Sequence, residues 1–122
     1  MADIYPTFQY ADAAAAIDWL ERAFGLTRDK VYTAEDGTVA HAQLAYGTGM
    51  VMVGTATPPV HRPESAGFAV YVAVDDIDAH HARARAAGAP VVQPLRDTDY
   101  GSREYAVRDV GGYVWSFGTY RP

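Results

Sequence analysis

The sequence predicts an α+β fold built from two tandem βαβββ modules, and three observations carry that prediction. The same order of elements is read twice, once on each side of a proline-rich stretch. A shift of 64 residues superposes Asp12 on Asp76, Ala23 on Ala87, Gly37 on Gly101, Ala42 on Ala106, Gly47 on Gly111 and Gly54-Thr55 on Gly118-Thr119, with no gap. The shared glycines are expected at turns, where a Cβ would restrict the backbone, and the match as a whole reads as an internal repeat. Finally, 122 residues with 49% hydrophobic and 20% charged content make about one domain with a modest core.

In chain order, Ile4 to Tyr10 reads as a strand entered past Pro6, a residue tolerated near a strand start or on an edge. Asp12 is the N-cap of AAAAIDWLERAFG, whose Ile17, Trp19, Leu20 and Phe24 make a helical face that stops at Gly25. Leu26 to Ala34 and Thr38 to Tyr46 form a hairpin about Glu35-Asp36-Gly37, and Met50 to Val53 is a short apolar strand. The stretch Thr55 to Gly67 carries Pro58, Pro59 and Pro63; it separates module one (1–57) from module two (66–122) by a linker at 58–65. Phe68 to Val74 is the next strand, Asp75-Asp76 starts a helix from Ile77 to Ala87 ending at Gly88, and three more strands follow.

Composition excludes several functions. The formal charge of −5 is spread along the chain with no basic stripe, which argues against nucleic acid as a partner. That acidity is weak evidence for a cationic ligand, since solubility is the better account of it. The absence of cysteine rules out disulfides, thiol catalysis and zinc–thiolate sites. No stretch approaches the ~20 apolar residues of a membrane span. The start MADIYPTFQYADAAAA lacks the basic and apolar regions of a signal peptide, so the cytoplasm is the expected compartment.

The doubled plan, the motifs DAAAAIDWLERAFG and VDDIDAHHARARAAGA, and the ending RDVGGYVWSFGTY resemble the vicinal oxygen chelate superfamily of glyoxalases, extradiol dioxygenases and fosfomycin- and bleomycin-resistance proteins. The resemblance spans almost the whole chain and is specific for the fold, not the reaction. It implies that each module curls into an open half-barrel with its helix on the convex side, and that the chain pairs as a homodimer.

The family's enzymes hold a divalent metal through a residue early on each module's first strand and one on each module's last strand. Counting back from the helix-start aspartates places the first-strand positions at Tyr5 and Ala69. The family's ending D-P-x-G-x-x-x-E puts Ser116 where the metal-binding Glu stands, and the 64-residue shift gives Met52. A phenol, a methyl, a hydroxyl and a thioether do not replace carboxylate and imidazole donors, so no metal and no other cofactor is expected. A slip of one position would bring in Trp115 or Phe117, and a slip of two Thr7 or Tyr71, none of them a good ligand. The nearest donors are His41 and Gln43 on one face of a strand, and a rebuilt metal site around His41 remains the alternative.

Other chemistry is faint. His80 and His81 are adjacent on a helix and point about 100° apart, so they cannot form an i, i+4 metal pair and are expected to be solvated or lightly packed. His61 lies in the linker. No nucleophile elbow occurs, and Glu35, Glu64 and Glu104 are scattered; Glu104 reads as a surface partner of Arg103 and Arg108.

Aromatics are plentiful, with 9 Tyr, 4 Phe and 2 Trp. Alternation from the four metal-site positions assigns Tyr5, Thr7, Met50, Met52, Ala69, Tyr71, Val114 and Ser116 to the concave face, and Phe68, Val70, Val72, Trp115 and Phe117 to the helix side. The expected ligand-binding residues are Tyr5, His41, Met52, Tyr71, Tyr100 and Tyr105, with no catalytic group identified. A wall of Tyr and Met suits a flat organic molecule. The expectation is a metal-free, dimeric binding protein of the bleomycin-resistance type that sequesters a small amphipathic molecule such as an antibiotic. The alternative is a metal-dependent lyase, isomerase or dioxygenase with a non-standard site.

Overall fold

The computed structural model describes residues 3–56 and 68–122, so the expected linker with its prolines, His61 and Glu64 lies outside the described residues. The chain divides into two compact units, Met1–Arg62 and Pro63–Pro122. The first holds β1 (Thr7–Tyr10), α1 (Ala13–Phe24), β2 (Thr27–Thr33), β3 (Val39–Tyr46) and β4 (Gly49–Thr55). The second holds β5 (Val70–Ala73), α2 (Ile77–Ala86), β6 (Val91–Asp97), β7 (Arg103–Arg108) and β8 (Val114–Gly118). Sheet orders are β1-β4-β3-β2 and β5-β8-β7-β6, with the first strand parallel to the last in each unit and the other pairs antiparallel. The α+β class and the tandem βαβββ modules are therefore as the sequence predicts, and neither four-stranded sheet closes into a barrel. Among the described residues no helix is long and apolar enough to cross a membrane.

Local chemistry sets the boundaries. Asp12 and Asp76 cap their helices by accepting the N–H of Ala15 and Ala79, each at 3.1 Å. Gly25 at φ 77° ends α1, and Gly88 at φ 81° follows the end of α2. β1 starts at Thr7 rather than Ile4, because Pro6 has no N–H to give the sheet; its carbonyl still accepts from Met52 N at 2.9 Å. β5 starts at Val70, so Phe68, expected beneath the helix, precedes the strand and is 65% exposed.

The two cores solve the same packing problem with opposite distributions of bulk. In the first unit the helix supplies large groups, Ile17, Leu20 and Phe24, over a sheet of Ala42, Leu44, Val51 and Val53. In the second the corresponding helix positions are His81, Ala84 and Gly88, and the sheet supplies Tyr105, Trp115 and Phe117. Close-packed interiors conserve total volume, so bulk lost from one layer must return in the other.

This exchange corrects the reading of His80 and Tyr105. His80 is not solvated: it is 7% exposed, its ring lies 4.2 Å from that of Phe117, and its Nδ1 is hydrogen-bonded to the Tyr105 hydroxyl. Tyr105, expected in the ligand pocket, is 1% exposed and packs against α2. Trp115 is fully buried, as expected of a core residue, and its Nε1–H donates to Asp109 Oδ2 at 2.9 Å.

The gapless 64-residue repeat also needs correction on one strand. Thr7 faces Met52 as Tyr71 faces Ser116, which keeps the offset of 64 on the first and last strands. On the penultimate strands Ala42 pairs with Val53 whereas Tyr105 pairs with Phe117, an offset of 63. The loop from Asp109 to Tyr113 has one residue more than Tyr46 to Gly49, and this moves β7 by one position against the sequence match. A one-residue change exchanges the faces of a strand, so His41 corresponds to Glu104 and not to Tyr105.

Candidate functional site

The sheet face turned away from the helix carries the accessible chemistry in each unit, and the two faces are described separately. In the first unit this face presents Met50 and Met52 on β4, with His41, Gln43 and Ala45 on β3. Met52 lies between Thr7 and Gln43 in the pairing register. The side-chain amide of Gln43 lies within hydrogen-bond distance of the His41 ring, with the two Nε2 atoms 3.2 Å apart. The Tyr32 ring stacks beside His41, centroids 6.0 Å apart. Tyr5, 40% exposed, precedes β1 in phase with Thr7.

In the second unit the face presents Tyr71 on β5, Ser116 and Gly118 on β8, and Glu104 on β7. Glu104 is not a surface partner of arginine. Arg103 turns to Asp78 and Asp97, both at 3.0 Å, and Arg108 donates to the Gly112 carbonyl at 2.9 Å. The Glu104 carboxylate instead accepts the Tyr100 hydroxyl at 2.8 Å and the Ser102 hydroxyl at 3.0 Å. Ser102 is 3% exposed and also accepts the Tyr120 N–H at 3.1 Å. The Tyr71 hydroxyl donates to the Tyr120 carbonyl at 2.7 Å, and the rings of Tyr100 and Tyr120 meet edge to face at 5.9 Å.

Gly118 makes this convergence possible. A Cβ at that position would lie 2.7 Å from Glu104 Cγ and 2.7 Å from the Tyr71 hydroxyl, closer than real Cβ contacts come. The glycine is thus required for close approach within a strand, not for a turn as the sequence suggested. Burial, followed by the charge of Glu104, raises the Tyr71 phenol above its ordinary 10.0, and the hydrogen bond to Glu104 raises that of Tyr100. Both remain hydroxyl donors at neutral pH.

Of the expected ligand-binding residues, Tyr71 and Tyr100 meet around Glu104, while His41 and Met52 share the open face of the first sheet. Tyr105 is withdrawn into the core. The sequence reading missed Glu104, Ser102 and Tyr120 as a cluster. The signal that exposes Glu104 is local: in REYAVR, Tyr105 and Val107 are the large alternate residues, which leaves Glu104 on the opposite face.

The resemblance assigns the family's metal positions to Tyr5, Met52, Ala69 and Ser116, and a phenol, a thioether, a methyl and a hydroxyl are poor donors for a divalent cation. Among the described residues no three His, Asp or Glu side chains gather as a metal-binding group.

Comparisons with known proteins agree with this architecture. TioX from Micromonospora sp. ML1 superposes with a TM-score of 0.80 at 39% identity, covering 96% of this chain and 94% of that one. The fosfomycin resistance protein FosX from Mesorhizobium loti shares the fold, with a TM-score of 0.70 at 18% identity over 99% of this chain and 95% of its own. The uncharacterized protein Rv0887c of Mycobacterium tuberculosis (strain ATCC 25618 / H37Rv) is 35% identical over 115 residues, which cover 88% of this chain and 68% of that protein. Residues 5–117 match the family model described as Glyoxalase/Bleomycin resistance protein/Dioxygenase superfamily, and the chain belongs to that superfamily.

Proposed function

We propose that this chain is a metal-free binding protein that sequesters an amphipathic aromatic compound, an antibiotic being the kind of molecule the resistance proteins of its superfamily suggest. One observation carries the reading: the positions to which the resemblance assigns the family's metal donors hold the phenol of Tyr5, the thioether of Met52, the methyl of Ala69 and the hydroxyl of Ser116, with His41 and Glu104 elsewhere on the faces away from the helices. Tyrosine stacking contributes about 1 kcal/mol per well-placed ring beyond area burial, and several such contacts with desolvation reach micromolar affinity.

The chain acts as a homodimer in this proposal. The outer strands β2 and β6 are exposed almost throughout, and Val31, Tyr32, Val91 and Val92 stand out on them. Unpaired strand edges with apolar side chains favour a covering partner, and a second copy should bury more than ~1,000 Å² in total. Sedimentation at micromolar concentration should give the dimer mass; a monomer would remove this part of the proposal.

The binding reading is tested by thermal-shift screening of aromatic antibiotics against the untagged chain, with and without EDTA. A stabilising compound should act equally in both, and Ser116→Ala should leave its effect intact. One equivalent of Zn, Ni, Mn or Fe per purified chain, or loss of binding in EDTA, would favour the metal-dependent enzyme instead.

A further inference from the structure

We infer that the open face of the second sheet takes the positively charged end of an organic cation, an alkylammonium-type group carried on an aromatic body. The inference rests on the binding reading above and names the class of molecule for one part of that surface. Its basis is the placing of a single oriented carboxylate among tyrosine rings.

Glu104 is oriented by two hydroxyl donors, Tyr100 at 2.8 Å and Ser102 at 3.0 Å. Ser102 is itself buried and fixed by the Tyr120 N–H and by its own N–H to Thr98 Oγ1 at 2.9 Å. The carboxylate is therefore set by a wired turn, and two donors leave part of its acceptor capacity unfilled. Arg103 and Arg108 are committed elsewhere, and Arg96, which stands opposite Glu104 on β6, makes no ion pair with it, so among the described residues no ion pair reaches the carboxylate. Among the described residues this half-buried negative charge has no counterion in direct contact, and it lies beside Tyr71, Tyr100 and Tyr120.

Tyrosine faces attract ammonium groups through the ring quadrupole, and a carboxylate adds direct Coulomb attraction. The same surface repels carboxylates and phosphates, as does the net charge of −5 at longer range. One carboxylate with phenols and hydroxyls is too poor in charge to strip water from a small metal ion, whereas a diffuse organic cation keeps no tight hydration shell to lose. The solubility explanation of the chain's acidity does not account for an uncompensated carboxylate held in place by a buried serine.

The test is an NMR titration of the 15N-labelled full chain with benzyltrimethylammonium, benzyl alcohol and benzoate. The cation should shift the amides of Tyr71, Glu104 and Gly118 and bind about tenfold more tightly than the alcohol, with benzoate weakest. Glu104→Gln, which keeps the side chain's shape, should bring the cation to the alcohol's affinity, and Tyr100→Leu should weaken both. Equal affinities for cation and alcohol at these amides, unchanged in Glu104→Gln, would overturn the cation inference and leave the binding reading standing. Cation shifts confined to other amides would overturn the assignment to this face. If none of the three probes moves any amide, the inference and the reading of this face as a binding surface fall together.

Discussion

Replacing Gly118 by alanine should damage the candidate site more than the fold. Gly118 has no positive φ, so the substitution brings no backbone strain of the left-handed kind. Its cost is steric. The new methyl would start 2.7 Å from Glu104 Cγ and from the Tyr71 hydroxyl and 3.1 Å from Glu104 Oε2, against an ordinary separation of about 3.5–4.0 Å. Each neighbour must retreat by about 1 Å. Tyr71 would then leave the Tyr120 carbonyl, now 2.7 Å away, and Glu104 would swing from Tyr100 or Ser102. Overpacking costs about 1–3 kcal/mol, and each part-exposed hydrogen bond lost about 0.5–1.5 kcal/mol. Alanine returns about 0.5–1 kcal/mol by restricting the unfolded chain. A net loss of about 1–5 kcal/mol follows, which lowers Tm by roughly 4–8 °C per kcal/mol in a small domain. Ligand affinity should fall tenfold or more while far-UV circular dichroism stays unchanged. A variant with wild-type Tm and wild-type amide shifts at Tyr71 and Glu104 would refute the role given to Gly118.

Asp109 is 4% exposed and accepts from Gly111 N at 2.8 Å, Tyr113 N at 3.0 Å and Trp115 Nε1 at 2.9 Å; Asp109→Ala should cost about 2–4 kcal/mol in urea unfolding, and a loss below about 1 kcal/mol would show that the loop and indole find other partners. Tyr105→Phe removes the hydroxyl bonded to buried His80 and should cost about 1–3 kcal/mol with little effect on ligand binding; a selective loss of binding would return Tyr105 to the pocket. The hydrogen bonds of Arg28 hold the Glu21 carboxyl below its ordinary 4.5, so its contribution is present above that value and is lost as pH falls through the lower folded value. Tm measured from pH 6 down to 3 should therefore fall less steeply in Glu21→Gln, and parallel curves would count against the link between α1 and β2.

The helices were legible because their signals are local. A capping aspartate, an apolar period of 3.6 and a terminal glycine lie within a few residues of one another, and α1 runs from Ala13 to Phe24 as the sequence predicts. α2 was legible from its caps alone, for its run IDAHHARARA buries only Ile77, His80 and Ala84. His80 was misread for that reason. Its burial follows from the small Ala84 and Gly88 beside it and the large Tyr105 and Phe117 across from it, and such volume exchange between layers leaves no trace in either segment alone.

The site was half legible, and one residue of register accounts for the other half. Tyr71 and Ser116 came out on the expected face because the first and last strands keep the repeat offset. The glycines of the Asp109-Val110-Gly111-Gly112 turn matched the earlier hairpin well enough to hide the additional residue in the loop, which moves β7 by one against the match. Strand faces alternate with period 2, so that shift sent Tyr105 inward and Glu104 outward. Core volume decides between the two registers. Tyr105 opposite Phe117 and Val107 opposite Trp115 fill the space that the alanines of α2 leave open. The other phase would put Glu104 and Arg108 beneath that helix, where each charge would need a buried partner. The physics that repacks the second core therefore also delivers Glu104 to the open face, and the candidate site is a consequence of the core's asymmetry.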